Sequence, residues 1–539
     1  MKRFKKAIAI LLICVLTAGI SSCGLYELPQ GIEEPAVTDP EASSPAVTPT
    51  RTPVPVAASD DRFTLAYNPE ASLNPYSVQS ATNFWLTGLM FESLFVLKDD
   101  FSYEPLLCSY FDTSDNGYTY TIDIKSGIKM HDGSDLSIFD VVYSVRLAKE
   151  SERYSTRFKN VSRVGVDNGM VYIKLDTPNT DFCALLDIPI VKDGTGYDRV
   201  PVGCGPYVFD SEAECFNAFD GYRTYDTLPI ERIDLAVYDR GELISAFETA
   251  DIDLAVSQQS NISYVDYSGD CEVHFCPTTV LHYIGFNSGR GYCSSALRRL
   301  ILASAIDRDD ISGSIVAGTV TTALPVTPGS RWYIDSVAEN AFVTPENMEP
   351  MMVRTFVEDF DQDGFIEYIE DNTVWDFALE FLVNNDNMQK VAAARKITSK
   401  LNEMGFDVKL KEVDWNTYIT MLNIGEYDMY YGELQYGADF DLSPLFCYGG
   451  GGCRGFYDPE LQNYVYSFNC ASEADKPQAM TDLLVYQADN CYIAPLYFER
   501  TSVYTKRGAV SNMYPTNHNI FANVASWTIS FPGAAETDK

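Results

Sequence analysis

The sequence predicts an α/β body built on mixed sheets, and three observations carry that prediction. Helical periods closed by recognisable caps recur along the chain, alternating apolar strands follow them, and no internal repeat of solenoid length appears. With 539 residues, 46% of them hydrophobic, there is material for about three domains or one large two-lobed body.

Ser137 opens the first clear helix, since Ser137-Ile138-Phe139-Asp140 reads as a capping box with Ile138, Val141, Val142 and Val145 on one face. A second runs from Ala296 to Ile306, with Leu297, Leu300 and Ile301 turned inward and Asp307 starting the next turn. The third, Gln389 to Met404, keeps Val391, Ala394, Ile397 and Leu401 on one stripe and stops at Gly405. Phe406, Val408 and Leu410 then alternate, as a strand with one buried face does.

The first residues, MKRFKK, lead into the apolar run AIAILLICVLTAGI, long enough for an export signal and too short to span a bilayer. Ile20-Ser21-Ser22-Cys23 resembles the bacterial lipobox, so residues 1–22 are expected to be cleaved and Cys23 lipidated. From residue 23 to 60 the chain is rich in Pro, Ala, Thr, Ser and Glu, with prolines at 29, 35, 40, 45, 49, 53 and 55. Such a segment cannot form a core and reads as an extended tether. These features predict a protein held at the outer face of the bacterial cytoplasmic membrane.

A formal net charge of -37 argues against a nucleic-acid partner, which would require clustered Lys and Arg. Beyond Cys14 and Cys23 an odd number of cysteines remains, so at least one is unpaired. Cys271/Cys276 and Cys447/Cys453 are close enough in sequence to staple loops, and free thiols fit equally well. No GxSxG, HExxH or P-loop pattern appears, and no catalytic residue is expected.

Asp359-Phe360-Asp361-Gln362-Asp363-Gly364, with Glu370 six residues further on, fits the spacing of a calcium loop. Asp359, Asp361, Asp363 and Glu370 would ligate through side chains, Phe365 through its carbonyl, and Glu367 directly or through water. A structural Ca2+ is the expectation, although acidic turns of this kind also occur without metal. No other cofactor is required.

A set of motifs follows one order along the body. Ser72-Leu73-Asn74-Pro75, Phe91-Glu92-Ser93-Leu94, Glu104-Pro105-Leu106-Leu107, Asp115 to Thr121 (DNGYTYT) and Ile128 to Gly133 (IKMHDG) come first. Val202 to Tyr207 (VGCGPY), Phe286-Asn287, Arg298 to Asp307 (RRLILASAID), Glu412 to Trp415, Gly425 to Met429 and Ala438-Asp439-Phe440 follow. In these motifs the chain resembles the extracytoplasmic solute-binding proteins of ABC importers, in the oligopeptide, dipeptide and nickel-binding family known as family 5. The resemblance implies a two-lobed clamshell of the periplasmic-binding-protein type, class II, with an extra subdomain. Lobe I would take residues 61–75, 199–290 and 505–539, the inserted subdomain 76–198, and lobe II 291–504.

The resemblance also implies a monomer that carries an extended peptide to an ABC permease and its ATPase. Main-chain pairing would supply affinity without regard to sequence, and a carboxylate would hold the peptide ammonium, which cannot be buried unpaired. Asp439 matches the family's amine-anchoring position, and Asp441 is near enough to substitute. Tyr431, Gly432, Gln435, Tyr436 and Gly437 would supply backbone edges and walls, Trp415 a flat face, and Tyr67, Asn68 and Pro69 the facing edge. Nickel, a nickel chelate or another solute of the same importers is the alternative ligand. A secreted hydrolase or a surface scaffold is more distant.

Overall fold

The computed structural model describes residues 62–258, 267, 269–316, 318–449, 452 and 454–530. The signal, Cys23 and the tether lie outside these residues, as does Cys453.

Strand β1 (Phe63–Tyr67) comes first, followed by α1 (Ala81–Met90), whose N-cap Ser80 accepts from the Asn83 N–H. The chain then builds a separate antiparallel sheet from β2 (Cys108–Ser114), β3 (Thr119–Ile124), β4 (Val161–Asp167) and β5 (Met170–Leu175). Its order is β2-β3-β5-β4, and α2 (Ile138–Glu150), between β3 and β4, packs over it. At the start of α2 the Ser137 N–H donates to Asp140 Oδ2 at 2.7 Å. Val141, Val142 and Val145 are buried, so the predicted cap and face both form.

β6 (Tyr207–Asp210), β7 (Cys215–Ala218), β8 (Arg232–Val237), α3 (Leu243–Glu248) and β9 (Leu254–Gln258) return to the sheet of β1. β1 pairs in parallel with β8 on one side and with β9 on the other. This is a topological switch point, where neighbouring connections leave in opposite directions and open a crevice.

The long β10 (Cys271–Phe286) leads through α4 (Ala296–Ser304) and β11 (Val320–Thr321) to a small sheet of β12 (Val357–Glu358), β13 (Glu367–Glu370) and β14 (Thr373–Trp375). β15 (Leu379–Asn384), α5 (Met388–Glu403), β16 (Val408–Val413), α6 (Trp415–Ile424) and β17 (Met429–Gln435) follow. Then come α7 (Pro459–Cys470), α8 (Lys476–Asn490) and β18 (Ile493–Lys506).

One sheet runs through all of this in the order β16-β15-β17-β10-β18-β9-β1-β8-β7-β6, with β11 added against β18. β10 spans 16 residues and β18 spans 14, and their length has a specific use. Cys271–Pro277 of β10 pairs with the end of β18 that also carries β9, whereas Val280–Phe286 pairs with β17. These two strands therefore cross from one half of the sheet to the other. The register of β10 on β18 breaks between Pro277 and Leu281 and again between His282 and Tyr283.

One core joins β1, α1, the four-stranded sheet and the C-terminal residues around Phe521. In the other half alternate residues of β10 feed two cores, Ile284 and Phe286 on the face covered by α5, and Leu281 and Tyr283 on the face that holds Phe440 and Phe446. The His131 motif packs against the Gly203-Cys204-Gly205 motif: the His131 N–H donates to the Gly203 carbonyl at 2.8 Å, and Nε2 lies 3.0 Å from the Gly205 carbonyl. Burial pushes the His131 pKa down to about 4. A Cβ on Gly203 would stand 2.2 Å from the Met90 carbonyl oxygen, so glycine is needed there for close approach to the end of α1.

The structure revises several details. Leu297 is exposed, and Arg298 and Arg299 are buried beside Ile301 and Leu302, because the Arg299 guanidinium satisfies carbonyls at Cys293 and Asn490. The third helix is displaced by one residue, and Gly405 takes φ +90° after it. Cys271 and Cys276 are both thiols. Five residues of extended strand hold their Cα atoms roughly 16 Å apart, well beyond the ~7 Å limit of a disulfide.

Candidate functional site

The turn after β17 carries four of the predicted residues, Tyr436, Gly437, Asp439 and Asp441. Tyr436 is buried; its hydroxyl donates to the Pro325 carbonyl at 2.8 Å, and its own carbonyl accepts from Thr279 Oγ1 at 2.6 Å. Gly437 lies flat against Asp439, where a Cβ would come within 2.3 Å of Asp439 Oδ1 and 2.8 Å of Leu185 Cδ2. Phe440 takes φ +53°, which turns the chain so that its ring meets Phe101 edge-on at 5.2 Å. Asp441 accepts from the Ser443 N–H at 3.0 Å and from Asn469 Nδ2 at 2.7 Å.

Asp439 is 5% exposed and accepts from Asn179 Nδ2 at 2.6 Å. Asn179 comes from the loop after β5, so the anchor candidate is reached from the four-stranded sheet. Cations stand nearby but are engaged by other carboxylates. Lys476 Nζ lies 2.8 Å and Arg331 Nη2 3.1 Å from Asp181, while Arg157 and His518 both pair with Asp187. Among the described residues Asp439 forms no ion pair. Burial, reinforced by Asp441, raises its carboxyl to about 6, against the lowering effect of the Asn179 hydrogen bond. Burial also works on Asp187, but there Arg157 and His518 prevail and hold the carboxyl well below the usual range. The contrast isolates Asp439 as a buried acid short of a cation.

The remaining predicted residues are distributed around this point. Gly432 pairs with Tyr283 across β17 and β10, and a Cβ there would enter the Tyr283 ring at 2.3 Å. Gln435, at the end of β17, is exposed. Tyr431 turns to the opposite face of the sheet, its hydroxyl 2.8 Å from that of Tyr497. Trp415 is exposed at the start of α6 and stacks on Tyr418. Tyr67 packs on Phe209 at the end of β1, the Asn68 N–H donates to Asn83 Oδ1 at 2.9 Å, and the Pro69 carbonyl accepts from Arg199.

A cavity of about 750 Å³, counting space open to solvent, lies between β1 and β9, where the strands separate beyond the Leu65–Leu254 pair. Trp85, Leu243 and Phe521 line it, with Arg240, Ser257 and Gln258 as polar groups. It occupies the switch-point crevice and includes none of the residues predicted for the site. Sequence reasoning also missed Asn179, Asp181, Arg331 and Lys476. Asn179 and Asp439 are separated by 260 positions, and no local pattern marks either as a partner of the other.

In the acidic loop Asp359, Asp361, Asp363 and Glu367 bring ligand atoms within 4.8 Å of one another. Glu370 does not join them: it pairs with Arg298 at 3.3 Å, because β13 carries it away from the turn. The Phe365 N–H donates to Asp363 Oδ1 at 2.8 Å.

Comparisons bear on this arrangement. Residues 102–458 match the family described as bacterial extracellular solute-binding proteins, family 5 Middle. The chain is 24% identical over 344 residues to the oligopeptide-binding protein AppA of Bacillus subtilis, covering 58% of this chain and 62% of that one; it thus spans about three fifths of that relative. Its fold is similar to the unliganded open form of MppA, a periplasmic murein tripeptide-binding protein, with TM-score 0.69, 17% identity and coverage of 88% and 98% of the two chains. A nickel ABC transporter structure from Bacillus halodurans gives TM-score 0.69, 15% identity and coverage of 85% and 97%. The architecture is the two-lobed one of these periplasmic binding proteins, mixed α/β on a large shared sheet.

Proposed function

The chain belongs to the bacterial extracellular solute-binding proteins of family 5, and from that premise we propose that it captures extended peptides between its lobes and delivers them to an ABC importer. The observation that carries this reading is Asp439, a buried carboxylate without a cation and with its pKa raised to about 6. A peptide ammonium supplies the missing charge, and the attraction is larger than at the surface because the carboxylate is buried. The protein acts as a monomeric carrier with no catalytic step, docking on a permease and its ATPase. Cys23 tethers it by lipid to the outer face of the membrane, after removal of residues 1–22. Structural Ca2+ in the loop of Asp359 belongs to the same reading, supported by the four converging carboxylates.

Calorimetric titration of the full chain with mixed peptides of two to six residues tests the proposal. Wild type is expected to bind, and Asp439→Ala to lose at least about tenfold in affinity, because it removes the partner of a buried ammonium. N-acetylated peptides, which have no ammonium, should bind wild type as weakly as free peptides bind the variant. Failure of wild type to bind any free-amine peptide overturns the reading and makes a nickel chelate or another solute of the same importers the next ligand to test.

A further inference from the structure

His282, Glu433 and Glu499 stand on three neighbouring strands, β10, β17 and β18, on the sheet face covered by α5. Tyr436 and Phe440, which flank Asp439, pack on the opposite face, so this cluster is separate from the anchor. His282 lies opposite Glu433 in register. Glu499 falls opposite the irregularity between Pro277 and Leu281, where β10 and β18 cross between the two halves of the sheet. His282 and Glu499 are both more than nine-tenths buried.

His282 Nε2 is 3.0 Å from Glu499 Oε1 and 3.8 Å from Glu433 Oε2, and all three ligand atoms fall within 4.8 Å of one another. Donors bonded to a tetrahedral ion at 2.0–2.1 Å are separated by about 3.3 Å, so the two spacings bracket what such an ion requires. The far side of the imidazole is also fixed. Its Nδ1 lies 3.3 Å from the Tyr431 hydroxyl and 3.2 Å from that of Tyr497, and the Tyr497 ring stacks on it at 4.5 Å. Without an ion Nε2–H donates to Glu499; with one bound, Nδ1–H would donate to a hydroxyl and Nε2 would turn its lone pair to the ion, the arrangement found behind metal-bound histidines. A small pocket lined by Thr319, Asn387, Gln389 and Lys390 reaches His282 and Glu499. Lys390, from the first turn of α5, pairs with Glu433 and is the only cationic side chain paired with these carboxylates among the described residues. It is also a long side chain able to swing away.

We propose that His282, Glu433 and Glu499 form a site for one divalent cation of the zinc class, bridging the two crossing strands and β17. One imidazole and two carboxylates match that class better than calcium, which takes oxygen ligands only, or a thiolate-seeking ion. The ion would displace Lys390 from Glu433 and take water or a small anion at its fourth position.

The test titrates zinc chloride into the metal-free full chain carrying Asp361→Asn, so that the acidic loop does not contribute, and records the visible bands of cobalt(II) in parallel. One equivalent is expected, with the intense cobalt absorption of a tetrahedral site. His282→Gln and Glu499→Gln should each weaken binding by more than about a hundredfold, beyond the 10–100-fold cost of losing an outer partner. Lys390→Met should tighten binding several-fold, a gain that misfolding cannot imitate. Asp439→Ala should leave zinc uptake unchanged, so the outcome is independent of the peptide reading. Uptake indifferent to His282 and Glu499, or a Lys390→Met variant that binds no more tightly than its parent, overturns the proposal.

Discussion

Asn179 donates its side-chain amide to Asp439 at 2.6 Å, joining a loop of the four-stranded sheet to the turn that follows β17. Asn179 Oδ1 in turn accepts from the Asp181 N–H at 2.9 Å, so the amide is held with its donor toward the carboxylate. Asn179 is therefore a positioning residue for the proposed anchor. Its hydrogen bond favours the charged form of Asp439 and offsets part of the effect of burial.

Peptide affinity should follow the charge of Asp439. Binding is expected to weaken as the pH falls below about 6, by up to about tenfold per unit, because the proton competes with the ammonium. Asn179→Ala removes the donor, so the midpoint should move upward and the variant should already bind more weakly at neutral pH. Peptide dissociation constants from pH 5 to 8 check this. Identical midpoints for the two proteins would exclude the positioning role.

The unliganded chain should be more stable without this charge. The folded carboxyl, raised to about 6 from 3.8, holds its proton more tightly than the unfolded one, so stability falls as the pH rises between those values and the full penalty is present above them. Asp439→Asn is expected to stabilise the free protein at pH 7 by on the order of 1 to 3 kcal/mol. The gain should shrink below pH 6 and vanish below about pH 4. Urea unfolding at several pH values measures it; an equal gain throughout would contradict the assignment.

Asp181 sits between Lys476 and Arg331, and both it and Lys476 are almost fully buried. Removing Asp181 leaves two cations unpaired, whereas removing Lys476 leaves Asp181 its arginine. Asp181→Asn should therefore cost about 3–5 kcal/mol, and Lys476→Met clearly less. Chemical denaturation gives both values, and the reverse ranking would mean that Arg331 does not share the load.

How much of this was legible depends on how far each feature reaches along the chain. The α2 cap, the stripe of α5 and the stop at Gly405 depend on residues within a few positions, and each appears as read. Leu297 was misread because its apolar character suggested an inward position, while the neighbouring arginines gained carbonyl partners from segments remote in sequence. Asp439 could be singled out from its motif alone. Its amide partner, the engaged cations around it and the His282 cluster all depend on pairings across separate strands or domains, which no local period records. Tyr431 is the opposite case: one residue from Gly432 in sequence, it faces the other side of the sheet, and the two-residue period of a strand is a local pattern that places it there.

The acidic loop separates a reading by spacing from one by geometry. Spacing nominates Glu370 to close a calcium shell, but in the structure Glu370 pairs with Arg298 at 3.3 Å and Glu367 converges with the three aspartates. Burial raises the Glu367 carboxyl, and although the Phe360 N–H opposes this, the aspartates push the same way as burial. A cation would reverse the effect of the aspartates by drawing all four charges to one centre. Millimolar calcium is therefore expected to raise the thermal midpoint, by an amount set by the ratio of calcium to its dissociation constant, and EDTA to cancel the rise. Asp361→Asn and Glu367→Gln should lose the response. Glu370→Gln should keep it, since its carboxylate serves Arg298 rather than the loop. Thermal unfolding with calcium and with EDTA distinguishes the two ligand sets: loss of the response in Glu370→Gln would restore the set drawn from spacing, and no response in wild type would leave the loop as a turn held by hydrogen bonds from its N–H groups to its own aspartates.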